Sequence, residues 1–360
     1  MSARDRRRGL HRGRRRFDQG WWIRVSAVAV AVVLAGAIVI AIRSGSGGLS
    51  GASSGQSSLS ATGPLAPDFT GIVDWQNSPP LTMDGLRGKV VLIDFWTYSC
   101  INCQRTFPFL RRWWDRYQAD GLVIVGVHSP EFTFEKDVAN VRRAVKDYGI
   151  AWPVAVDSSM ATWNAYNNQY WPAEYLIDAG GHVRHTNFGE GDYATTERDI
   201  QTLLGESGHR VSGPLASGDP GITGDASSET PETYVGSDRG DGSVAFQGAW
   251  SQRAEYQELT AVGTTGRVDV ASLPYRARRV YMVAAPAAGP VTVHVTLDGH
   301  DLLPSQAGAS VHVDASGHST VVVDHDDLYT LVSLPTFSEH LLQISPEQPG
   351  FRLYTFTFGS

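Results

Sequence analysis

The sequence predicts an α/β domain followed by an all-β sandwich, with an apolar helix ahead of both. Three observations predict this arrangement. Apolar strand runs alternate with helical stretches between residues 66 and 205, helical periodicity vanishes after about residue 245, and residues 25–42 are apolar and uncharged. At 360 residues the chain exceeds one average domain, and a 42% apolar fraction suffices for a core in each of two.

The N-terminal 24 residues hold nine Arg and two Asp, a local charge of +7, which leaves −14 for the rest of a chain whose net charge is −7. A basic tail alone would suggest nucleic acid, but the adjoining segment is VSAVAVAVVLAGAIVIAI at 25–42. At 1.5 Å per residue this run just crosses a hydrocarbon core of ~30 Å, with Trp21 and Trp22 at the interface. Arginines crowd one side and only Arg43 marks the other. The positive-inside rule therefore keeps the N-terminus cytoplasmic and exports the remainder. A signal anchor is expected over a cleaved signal peptide, because the run exceeds the usual ~7–15-residue apolar region and no small-x-small site comes after it. No nucleic-acid partner is expected. Residues 43–65 are rich in Gly and Ser and read as a flexible tether.

Within 66–205, Val90–Phe95 and Leu122–Val127 read as buried strands, and Val154–Val156 as a third. Helices are predicted from Cys100 to about Ala119, from Phe134 to Tyr148, and from Thr195 to Leu204. Ala173–Ile177 and His182–Thr186 form a hairpin around Asp178-Ala179-Gly180-Gly181.

The chain has two cysteines, in the run Cys100-Ile101-Asn102-Cys103. A disulfide framework would scatter more of them, and a structural zinc site needs four ligands, so an isolated CxxC points to redox chemistry. Cys100 falls where strand becomes helix, facing unpaired backbone N–H groups and the positive end of the helix dipole. That setting favours thiolate. Cys103 lies one turn on, within reach for a disulfide. Cys100 is therefore the expected nucleophile and Cys103 the resolving thiol.

The motifs APDF (66–69), LRGKVVLIDFW (86–96) and WTYSCINC (96–103) resemble the TlpA/ResA-type thioredoxin-like (redoxin) family. WTYSCINCQRT, with GVHSPEF (126–132) after it, is similar to the extracytoplasmic part of DipZ-type cytochrome c biogenesis proteins. The resemblance implies a thioredoxin fold that exchanges disulfides with client proteins, often in cytochrome c maturation, with the Cys100–Cys103 disulfide as its redox group and no other cofactor. It places Asp94 as a buried acid beneath the disulfide, positioned to take the Cys103 proton. Pro172, in Tyr170-Trp171-Pro172-Ala173, matches the cis-proline loop facing the disulfide, where the backbone of Trp171 would pair with a client. Trp96 matches a tryptophan near the active site, and Glu131 an acidic active-site position of ResA-like proteins. The sequence departs from the family in its Ile101-Asn102 dipeptide, which leaves the direction of electron flow open. Thr97 echoes a peroxiredoxin TxxC motif, but Ile93 stands where that motif has proline.

Residues 206–245 read as a connector and 246–360 as a β-sandwich of jelly-roll type, with a carbohydrate-binding-module-like fold implied by the DipZ resemblance. Trp250, Tyr256 and Tyr354 suggest either a sugar platform or core packing, and the latter is favoured. The histidines show no metal-ligand spacing. Two functional readings stand side by side. One is a membrane-anchored extracytoplasmic thiol–disulfide oxidoreductase supplied by a separate membrane electron donor. The other is an envelope glycan- or protein-binding module with a secondary redox or peroxidase-like centre.

Overall fold

The computed structural model describes residues 59, 62–209, 211, 215, 228–263 and 269–359. The basic tail, the apolar run 25–42 and most of the tether lie outside these residues. Among the described residues no helix is long and apolar enough to cross a membrane.

The α/β domain carries strands β1 (Asp74–Gln76), β2 (Val90–Trp96), β3 (Leu122–His128), β4 (Val154–Val156), β5 (Ala173–Ile177) and β6 (Val183–Phe188). Its helices are α1 (Ile101–Tyr117), α2 (Val138–Asp147), α3 (Ala161–Ala165) and α4 (Tyr193–Glu206). The sheet order is β1-β4-β3-β2-β5-β6, with β2, β3 and β4 parallel and the β5–β6 hairpin antiparallel. This is a thioredoxin-like fold. β2 is wholly buried, as its continuous apolar run requires. Its alternate residues enter two cores, with Val90, Leu92 and Trp96 packing with Phe107, Leu110 and Ile200, and Val91, Ile93 and Phe95 packing with Trp163 and Tyr175. Asp94 therefore shares the face that α1 covers.

The helix expected from Phe134 to Tyr148 is broken in two. A 3₁₀ turn occupies Thr133–Lys136, and Asp137 then caps α2 by accepting from the Ala139 amide at 2.8 Å. The short elements β1 and α3 are too brief to show a period.

The all-β domain holds β7 (Thr233–Tyr234), β8 (Ala245–Gln247), β9 (Ala249–Gln252), β10 (Gln257–Ala261), β11 (Val270–Pro286) and β12 (Val291–Leu297). β13 (His300–Asp301), β14 (Val311–Val313), β15 (Ser319–Val323), β16 (Asp327–Pro346) and β17 (Phe351–Gly359) complete it. β7 lies within the expected connector, yet pairs with β17. All eleven strands belong to one hydrogen-bonded sheet rather than two separate ones. The long strands β11 and β16 run through both halves, with register shifts between Ala277 and Arg279. Such irregularities bend a strand. One half then holds β14-β15-β12 and the other β17-β10-β9, and residues of both halves share a single apolar core.

The two domains meet on aromatic side chains. Phe132 and Phe134, from the loop after β3, pack edge-on against Tyr354 at 5.2 and 4.8 Å between ring centroids. Val283, Ala285, Tyr234 and Tyr256 complete this cluster. Tyr354 and Tyr256 are thus interdomain packing, and Trp250 rests on Phe246 and Phe351, so these three residues form no common sugar platform.

Candidate active site

The end of β2 leads through Thr97-Tyr98-Ser99 into Cys100, which is the N-cap of α1 with extended backbone (φ −85°, ψ 108°). Its Sγ accepts from the Cys103 amide at 3.2 Å, satisfying one of the helix's open N–H groups. Both cysteines are free thiols, Cys100 half-buried and Cys103 wholly buried. Burial, and then the hydrogen bond to Cys100, push the Cys103 thiol well above its ordinary range, and the charge of Asp94 adds to this. The two sulfurs thus differ: one reachable and held by an amide, the other enclosed and slow to ionise unaided.

Asp94 is fully buried, and neither of its carboxylate oxygens has a hydrogen-bond partner among the described residues. Burial raises its pKa to about 7. Directly across the antiparallel pair stands Glu174, also buried, raised to about 8 by burial and by repulsion from Asp94. Two carboxyls on one face in an apolar setting hold a proton near neutrality. Gly126 lies beside Asp94 on β3, where a Cβ would stand 2.9 Å from Trp96 Nε1 and 3.2 Å from Trp152 Nε1, so the packing here excludes a side chain.

A third buried acid fixes the loop ahead of Cys100. Glu135 Oε1 accepts from Ser99 Oγ at 2.6 Å and from the Ser99 amide at 3.3 Å. Its Oε2 accepts from the amides of Glu131 and Phe132 at 2.6 and 2.9 Å. Burial and the neighbouring Glu131 raise its pKa to about 7. Glu135→Gln turns an amide NH₂ toward N–H donors on one side, and the expected cost at pH 4, where the parent carboxyl carries no buried charge to relieve, is about 2 kcal/mol. A lower urea midpoint at unchanged slope checks this, and an unchanged midpoint contradicts it. His128, at the end of β3, is buried and held neutral by desolvation at about 3. It meets Thr97 Oγ1 at 3.3 Å and stacks on Tyr98.

The remaining expected residues fall in different places. The Trp171–Pro172 bond is cis, and the Phe95–Ala173 pairing carries Pro172 alongside Trp96 at the start of the Cys100 turn. The Trp171 indole donates to Ser129 O at 3.0 Å and lies on Trp163, so the ring is held in place and only half-buried. Trp96, expected at the substrate surface, is instead wholly buried edge-on to Phe107 and His128, because its side chain points to the α1 face of β2. Glu131 is likewise displaced from its expected role. Its carboxylate accepts from Tyr234 Oη at 2.6 Å and Arg239 Nη1 at 2.7 Å, both from the C-terminal side of the chain, so it joins the two domains.

Sequence reasoning missed Glu135, Glu174 and Arg105. Glu174 was visible as a lone acid in an apolar strand, and Glu135 as one closing an aromatic-rich turn. Arg105 bonds Asn102 Oδ1 at 3.0 Å, Glu190 at 2.8 Å and Phe358 O at 3.5 Å, and lies over the Tyr281 ring. The Asn of the CxxC dipeptide is thereby tied to the all-β domain.

A free CxxC at the first helix of a thioredoxin-like sheet is the frame of a thiol–disulfide oxidoreductase. Residues 62–186 match the AhpC/TSA family, and residues 222–359 match the thioredoxin like C-terminal domain. Thiol-disulfide oxidoreductase YkuV of Bacillus subtilis (strain 168) is 33% identical over 142 residues, covering 39% of this chain and 95% of that one. Thiol-disulfide oxidoreductase ResA of Geobacillus kaustophilus is 28% identical over 143 residues, 40% of this chain and 78% of that one. Protein DipZ of Mycobacterium tuberculosis is 37% identical over 339 residues, covering 86% of this chain. The match spans 45% of DipZ, less than half of that relative's length. The chain belongs to the TlpA/ResA-type thioredoxin-like family, and it is a thiol–disulfide oxidoreductase.

Proposed function

We propose that this oxidoreductase works outside the cytoplasm, tethered by residues 25–42, and exchanges disulfides with envelope proteins through Cys100 and Cys103. The observation that carries this reading is the asymmetry of the two thiols, with Cys100 half-buried on a helix amide and Cys103 enclosed on the Asp94 side of the sheet. In the reducing direction the Cys100 thiolate attacks one sulfur of a client disulfide, and the other sulfur leaves as thiolate. Cys103 loses its proton to Asp94, attacks Cys100 Sγ in the mixed disulfide, and releases the second client thiol. The client ends with two thiols and the protein with one disulfide. Oxidation of clients is the same sequence reversed.

Glu135 and Ser99 hold the approach to Cys100, while Trp171 and Pro172 form the wall beside it where a client backbone docks. We assign re-reduction to a membrane electron donor, and the clients to exported proteins with paired thiols, apocytochromes c among them. Cys103→Ser in the full chain tests the reading. Attack by Cys100 then stops at the mixed disulfide, so covalent, dithiothreitol-sensitive adducts with envelope proteins should accumulate, and none should form when Cys100 is also replaced. No adducts from membranes expressing Cys103→Ser would sink it.

A further inference from the structure

Two histidines of the all-β domain, unremarkable in sequence, converge in space on one aspartate. His294 comes from β12, Asp301 from β13, and His318 from the residue before β15. His294 Nε2 lies 2.7 Å from Asp301 Oδ1, and His318 Nδ1 lies 3.4 Å from Asp301 Oδ2. One donor atom from each of the three lies within 4.8 Å of the others. Around a tetrahedral ion with bonds of roughly 2.0–2.2 Å, ligand atoms stand about 3.3–3.5 Å apart, and the observed separations bracket that figure.

The carboxylate is built in. The Ser319 amide donates to Asp301 Oδ1 at 2.8 Å and Ser319 Oγ approaches it at 3.1 Å, while Ser319 Oγ also reaches Val295 O and the Leu302 amide. Outer-shell hydrogen bonds of this kind fix a ligand before the ion arrives. The His318 side chain is 63% exposed and can close on an ion by small rotations.

We infer that His294, Asp301 and His318 form a binding site for a late first-row divalent cation such as Zn²⁺, with one coordination position left for water. Two imidazoles and one carboxylate suit Zn²⁺ rather than Ca²⁺ or Mg²⁺, which prefer oxygen ligands throughout. The ion pins the β12–β13 hairpin to the β14–β15 hairpin at the sheet's edge. This site is independent of the redox centre.

The test uses the full chain carrying Cys100→Ser and Cys103→Ser, so that no thiol competes for metal. Zn²⁺ titration by calorimetry should show one ion per chain, and Co²⁺ should give visible bands of tetrahedral intensity. His318→Ala, on an exposed turn, and Asp301→Asn should each weaken binding at least about tenfold, since losing even an outer-shell partner costs that much. Zn²⁺ should raise the unfolding temperature of the parent, and do so much less in His318→Ala. Absence of stoichiometric binding, or binding equal in folded parent and His318→Ala, overturns the proposal.

Discussion

Cys100→Ser should slow disulfide exchange with a small aromatic disulfide by at least about a thousandfold while leaving the fold intact. Removing a covalent nucleophile eliminates the only route through the mixed disulfide, and losses of this size or greater are usual for such a change. Cys100 is the half-buried member of the pair and Cys103 has no exposure, so Cys103 cannot take over the attack. Serine preserves the cap, since its Oγ accepts from the Cys103 amide as the sulfur does. Stopped-flow rates at pH 7 and 8, with thermal melts beside them, check both parts. A variant that retains a tenth of the parent rate contradicts the assignment of Cys100.

The second large effect belongs to Asp94, and it has opposite signs for stability and rate. A carboxyl near 3.8 in the unfolded chain and near 7 in the folded one binds more protons in the folded state across that interval. Folding stability attributable to Asp94 is therefore complete below about pH 4, falls as pH rises through about 7, and then levels off. At about 1.4 kcal/mol per pH unit the penalty above pH 7 reaches about 4.5 kcal/mol. Part of it survives in Asp94→Asn, whose amide is also buried without partners. Asp94→Asn should therefore be about 3 kcal/mol more stable than the parent at pH 8 and no more stable at pH 4. Urea unfolding at the two values measures this directly. The same substitution removes the proposed proton acceptor for Cys103, so the resolving step should slow by about a hundredfold. Its pH dependence should shift upward from the neutral inflection set by Asp94 toward the higher value of Cys103 itself. Equal stability gains at pH 4 and pH 8, or an unshifted rate profile, contradict the account.

The same pKa shifts suit two buried acids, Asp94 and Glu174, beneath the proposed redox centre. Cys103 is driven toward the neutral thiol by burial, so it needs a nearby base that is poised near neutrality rather than one already ionised at pH 4. Asp94, across the strand pair, in turn adds to the burial that raises Glu174 to about 8.

The candidate site was legible because its signals are local. A continuous apolar strand, an abrupt CxxC and a helical period lie within some thirty residues, and strand Val90–Phe95 differs from the observed β2 by one residue. Asp94 was legible as a polar residue in an apolar run. What failed to show were partnerships between segments distant in sequence. Glu131 and Glu135 sit in one loop and look alike in sequence, yet one accepts from Tyr234 and Arg239 while the other clamps Ser99. Only the folding back of residues 228–359 distinguishes them. Trp96 failed differently, since the parity of a strand decides which face a side chain takes, and that face is covered by α1. In the all-β domain short strands marked the class, but nothing local in Val270–Pro286 or Asp327–Pro346 shows that each strand serves both halves of one bent sheet.

The central claim, that Cys100 and Cys103 act as one two-electron couple, is tested most directly by equilibrating the full chain in glutathione redox buffers and counting alkylated thiols by mass. A single transition is expected in which both thiols disappear together, fitting n = 2, with an intramolecular disulfide as product. Thiols lost one at a time, or a stable glutathione adduct on Cys100 with Cys103 still free, would contradict it.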